Sequence, residues 1–208
     1  MSRSMSEIRK KGLPLGQAKK AIILIHGRGS TAESMLSLVP HLHLTDYAIF
    51  APQANGNTWY PFGFMASDKG NLVALESSLR QIDAIIEELI EAGMPPEHIY
   101  FLGFSQGACL SLEFAARHAR KWGGVVAFTG GLIGEQLKPE RYSGDFEGTP
   151  VFIGSSDRDF HVPAERIEES ASLLREMGAR VTVTLYDDPD HTIRTEEINW
   201  VNQEIFAR

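Results

Sequence analysis

Residues 103–107 read "GFSQG", between the apolar run "HIYFL" (98–102) and the helix-like stretch "ACLSLEFAARHA" (108–119). A serine in an ordinary loop needs no glycine on either side. A serine in a sharp strand-to-helix turn does need them, because the backbone folds tightly back there and the helix must lie close to its strand. Gly103 and Gly107 are therefore read as spacers and Ser105 as an exposed hydroxyl at the tip of the turn. Gln106 opens the helix, so its backbone N–H lies where an oxyanion is favoured.

Working outward, short apolar runs alternate with longer helical patterns. The runs are 21–25 "AIILI", 47–51 "YAIFA", 99–103 "IYFLG", 124–128 "GVVAF", 150–154 "PVFIG" and 181–186 "VTVTLY". Most are apolar at consecutive positions, as strands covered on both faces are, whereas "VTVTLY" alternates and is placed near a sheet edge. Between them, 71–92 carries Leu72, Leu75, Leu79, Ile82, Ile86 and Leu89 at helical steps and ends at Gly93. Residues 164–177, ended by Gly178, and 106–119 and 194–207 also read as helices. The alternation predicts an α/β fold: a mostly parallel sheet with helices on both faces. Ligands then sit beyond the carboxyl ends of the strands.

The segments that follow the strands carry the chemistry. They are "HGRGST" (26–31), "PQANGNTWYP" (52–61), the serine turn, "GSSDRDFHVP" (154–163) and "DDPDHT" (187–192). Serine, acid and histidine come in the order Ser105, Asp157, His191, the order of a nucleophile-elbow hydrolase of the α/β-hydrolase fold. A serine hydroxyl needs a base within hydrogen-bond reach; histidine supplies it, and a carboxylate fixes the imidazole tautomer. The "HGRG" turn offers a second backbone N–H, that of Arg28. Asp159, two residues further along the same loop, rivals Asp157 as the acid. His161 rivals His191, and the chain order favours His191. His26 is assigned to shaping the glycine turn and Cys109 to a buried structural thiol. Trp59 and Tyr60, in an aromatic cluster with Phe62 and Phe64, are expected to line an apolar substrate pocket, with a core role as the alternative.

Composition narrows the field further. The chain has 208 residues, 43% of them hydrophobic, and a net charge of −7. One domain over 1–208 is expected. No basic footprint for nucleic acid is present. The longest apolar runs fall far short of the ~20 residues that span a bilayer, so no stable membrane insertion is expected. The polar "MSRSMSEIRKKG" at 1–12 lacks a secretion-type apolar stretch, and with one cysteine the reading is cytoplasmic. The acids and histidines of 157–161 and 188–191 match no metal-ligand spacing, so neither metal nor other cofactor is expected.

Taken together, "LIHGRGS", "GFSQGA", "GSSDRDFHVP" and "DDPDHT" resemble the phospholipase/carboxylesterase family, which includes the acyl-protein thioesterases. The resemblance runs from about residue 15 to 205. It implies an α/β-hydrolase fold, a serine hydrolase for small-molecule carboxylic esters, and Ser105, Asp157 and His191 as triad. The backbone N–H groups of Arg28 and Gln106 take the place of the oxyanion donors. Ala108 stands where the family usually has glycine, and the acid loop is two residues longer before "VP". "NGNTWYPFGFM" (55–65) replaces a lid-like loop, which favours smaller esters. A thioesterase or lysophospholipase would use the same triad, a non-catalytic binding protein is the reading from another class, and a homodimer stays open.

Overall fold

The computed structural model describes residues 7–207; the start of the polar segment 1–12, residues 1–6, lies outside the described residues. Seven strands form one sheet: β1 (Ile8–Gly12), β2 (Lys20–Ile25), β3 (Tyr47–Pro52), β4 (Ile99–Phe104), β5 (Gly124–Phe128), β6 (Pro150–Ser156) and β7 (Arg180–Tyr186), in the spatial order β1-β3-β2-β4-β5-β6-β7. All neighbours are parallel except β1, which runs antiparallel to β3. The six strands read from apolar runs are present, and "VTVTLY" is indeed an edge strand. The other edge, β1, was not expected, because "IRKKG" is charged and largely exposed; an edge strand whose side chains mostly face solvent carries little apolar signal.

The consecutive apolar residues reflect burial on both faces. Ile23, Ile25, Phe101, Val125, Ala127, Val151 and Ile153 face one layer, with α2 (Asp68–Glu91), α3 (Gln106–Arg117) and α4 (Ala164–Glu176). Ile22, Leu24, Leu102, Val126, Phe128 and Phe152 face the other, with α1 (Ala32–Leu36) and α5 (Thr195–Val201). The stretch read as one helix over 194–207 is α5 followed by a π-helical turn at Asn202–Phe206. With the central strands parallel, the segments after β2, β3, β4, β6 and β7 gather at one end of the sheet, and the functional residues gather with them.

Candidate active site

Ser105 stands between β4 and α3 with φ 54° and ψ −117°. This is a costly conformation for a residue with a side chain, held because the surroundings allow nothing else. A Cβ on Gly103 would lie 2.2 Å from the Gly107 carbonyl oxygen, and one on Gly107 would lie 2.0 Å from that of Ile25. Both glycines are thus required by close backbone approach. The turn pushes the Ser105 hydroxyl out of the sheet and leaves Gln106 as the first residue of α3, where backbone N–H groups have no intrahelical partner.

The Ser105 Oγ lies 2.8 Å from His191 Nε2. His191 Nδ1 lies 2.7 Å from Asp159 Oδ2. An ionised carboxylate only accepts, so Nδ1 carries the proton and Nε2 is free to accept from the serine. The Asp159 side chain is fully buried, and its Oδ1 accepts from the backbone N–H groups of His161 at 2.7 Å and Val162 at 3.0 Å. Both oxygens are occupied, one to fix the loop and one to fix the imidazole.

The expectation that Asp157 meets His191 is corrected here. β6 runs on through Ser156, two residues beyond the apolar run. Asp157 therefore continues the ladder, its N–H bonded to the Tyr186 carbonyl at 2.9 Å, and its exposed carboxylate pairs with Arg158 at 3.4 Å. The chain turns inward only at Asp159. His161 lines the same cavity, with its ring 5.1 Å from that of His191, but the hydrogen bond to Ser105 belongs to His191. His26 is fully buried. Its Nδ1 contacts the Gly27 carbonyl at 2.7 Å and its Nε2 the Ala54 N–H at 3.1 Å, which makes Nδ1 the protonated nitrogen. Burial lowers its pKa, in keeping with a neutral ring that braces the turn.

A cavity of about 310 Å³ opens over Ser105, lined by Tyr60, Phe64, Cys109, Val162 and Arg28 among others. Tyr60 faces it as expected; Trp59 does not. Trp59 is 1% exposed, its indole N–H donates to the His26 carbonyl at 2.8 Å, and its ring packs 4.9 Å from that of His26. It belongs to the core. Two roles were not legible from the sequence. The Gln106 side chain accepts from Trp59 N–H at 2.9 Å and donates to the Tyr60 carbonyl at 2.8 Å, tying the aromatic loop to the serine turn. The Arg28 guanidinium donates to the carbonyls of Pro61 at 2.8 Å and Phe62 at 2.5 Å, closing the same loop over the glycine turn. Cys109 is buried and its thiol is pushed up to about 12 by desolvation, so it is inert as a nucleophile. Among the described residues no cluster of His, Cys, Asp or Glu could hold a metal ion.

The family model for phospholipase/carboxylesterase matches residues 7–206. Acyl-protein thioesterase 1 of Saccharomyces cerevisiae is 31% identical over 165 residues, covering 70% of this chain and 73% of that protein. The crystal structure of a phospholipase/carboxylesterase from Dyadobacter fermentans superposes with a TM-score of 0.96 at 47% identity, covering 99% of each chain. A carboxylesterase from Mesorhizobium loti, 17% identical, shares the fold with a TM-score of 0.78, over 100% of this chain and 98% of that one. The chain belongs to the phospholipase/carboxylesterase family and has the α/β-hydrolase fold.

Proposed function

We propose that the protein is a serine hydrolase of carboxylic esters working through Ser105, His191 and Asp159. The observation that carries this reading is the unbroken hydrogen-bonded chain from the Ser105 hydroxyl through the imidazole to a buried carboxylate. Ser105 Oγ attacks the ester carbonyl as its proton passes to His191 Nε2. The resulting imidazolium is stabilised by Asp159. The oxyanion is met by the backbone N–H groups of Gln106 and Arg28. The intermediate collapses, and His191 returns the proton to the departing alcohol. Water, activated by the same imidazole, then attacks the acyl-enzyme and releases the acid. No step calls for a cofactor.

The cavity favours compact acyl groups: its walls are Tyr60, Phe64, Cys109 and Val162, and its volume is about 310 Å³. The yeast relative's name supports thioesters as substrates of the same machinery, since only the leaving group changes. One seven-stranded sheet supports a single domain over 1–208. No described helix is long and apolar enough to cross a membrane, and a cytoplasmic location with small-molecule substrates is part of the same proposal.

The test is a panel of p-nitrophenyl esters and matching thioesters of increasing acyl length, run on the wild type and Ser105→Ala. Short acyl groups should be preferred, and losing the nucleophile should cost about 10⁶-fold in kcat. Hydrolysis that survives in Ser105→Ala overturns the reading.

A further inference from the structure

The loop that carries His191 has little apolar anchorage: from Asp187 to Glu196 no residue is fully buried, and Ile193 packs against the core with its side chain only partly covered. What holds it is a polar cluster beneath the loop. The Asp188 carboxylate accepts from Asp190 N–H at 2.9 Å, from Ser156 Oγ at 2.8 Å and from Arg194 Nη2 at 2.5 Å. Arg194 Nη2 also lies 2.7 Å from Ser156 Oγ and 3.2 Å from the Asp190 carbonyl oxygen, which Ser156 Oγ contacts as well. The guanidinium lies over the Tyr186 ring, 4.4 Å from its centroid. Its own backbone N–H is held by Glu197 at 2.7 Å, beneath Gly154 of β6.

The Asp190 carbonyl is the telling contact. It shares a rigid peptide plane with the N–H of His191. Holding that oxygen fixes the direction in which the His191 side chain leaves the backbone. Asp159 grips only Nδ1, so it can orient the ring but cannot set where the ring is hinged. From this we infer that Arg194, acting with Ser156 and Asp188, is a positioning residue that sets the His191 imidazole against Ser105. The inference rests on the hydrolytic reading of the Ser105–His191 pair. A lysine would not serve equally well: one nitrogen, Nη2, meets all three oxygens, which an ammonium could imitate, but an ammonium has no planar face to lie over Tyr186.

The experiment compares Arg194→Met, Arg194→Lys, Ser156→Ala and the Arg194→Met/Ser156→Ala double variant, measuring kcat, KM and thermal unfolding. It adds the low-field proton NMR resonance of the His191 Nδ1–H···Asp159 bond, which needs no turnover. A misplacement of about 1 Å costs roughly 10²-fold. Arg194→Met should therefore lower kcat about 10- to 100-fold at little-changed KM and weaken or broaden the resonance, with partial recovery in Arg194→Lys. Ser156→Ala should lower kcat in the same direction, and the double variant should fall no further than Arg194→Met, because the residues share one network. Wild-type kcat and an unaltered resonance in Arg194→Met overturn the inference. Should that variant fail to fold, wild-type values for both in Ser156→Ala overturn it instead. A wild type whose hydrolysis is indifferent to Ser105→Ala would defeat the hydrolytic reading, and the resonance would still report on Arg194 separately.

Discussion

Replacing Asp159 with asparagine is the substitution whose outcome the geometry specifies most closely. Oδ1 of Asp159 accepts two backbone N–H groups, those of His161 and Val162. In the variant the amide oxygen keeps both, since the amide nitrogen can only donate. The NH₂ group is then turned toward His191, where Oδ2 now sits 2.7 Å from Nδ1. Nδ1 is forced to accept, the ring proton moves to Nε2, and Nε2 now faces Ser105 with a hydrogen instead of a lone pair. The base is present, correctly placed, and in the wrong tautomer. The expected loss is up to ~10⁴-fold in kcat, or about 5.4 kcal/mol of transition-state stabilisation. The fold should persist, because both loop hydrogen bonds remain. Asp157→Asn touches only an exposed pair with Arg158 and should leave kcat within about twofold, as surface changes usually do. Steady-state kinetics on a short-chain p-nitrophenyl ester, with the two variants side by side, provide the assay. A large loss confined to Asp157→Asn, with Asp159→Asn unaffected, would refute the reasoning.

Two further outcomes follow from buried groups. Burial raises the Glu197 carboxyl from 4.5 to about 7, so the folded state holds this proton more tightly than the unfolded chain does. Its contribution is fully present below pH ~4.5 and is lost as pH rises to about 7, lowering stability by roughly 3 kcal/mol; urea titrations across that range should show the decline, and its persistence unchanged in Glu197→Gln would contradict it. Trp59→Ala should destabilise by about 3–5 kcal/mol, as loss of a core tryptophan does, and lower activity equally across acyl lengths; a stable variant with altered chain preference would return Trp59 to the pocket wall.

The sequence carried the sheet well because strands covered on both faces are apolar at nearly every position, as β2 to β6 are apart from Lys20 of β2 and Ser155 and Ser156 of β6. Ser105 and His191 were read from glycines at fixed offsets and a histidine beyond a later strand, and the structure brings the two side chains within 2.8 Å of each other. The acid was misread for a local reason. Ser155 and Ser156 look like the start of a loop, yet both are buried strand residues paired with Leu185 and Tyr186. The inward turn therefore begins two residues later than composition suggests. β1 was missed because its side chains are mostly exposed, and pairing along one edge is a backbone property. For Trp59 and Tyr60, both 1% exposed, the sequence marks an aromatic loop but not which ring borders the cavity over Ser105. That depends on the Gln106 side chain reaching back from another element, a contact with no local signature. The pocket-lining Phe64 lay within the aromatic cluster that the sequence marked, whereas Val162 and the Arg194 cluster carried no comparable pattern.

The central claim is that Ser105 is the nucleophile, activated by His191. It is tested most directly by treating the protein with a fluorophosphonate and locating the adduct by mass spectrometry while following ester hydrolysis. The account predicts a single adduct on Ser105, activity lost in step with its formation, and slow labelling in His191→Ala. Full inhibition with the adduct elsewhere, or undiminished hydrolysis by protein fully modified at Ser105, would contradict it.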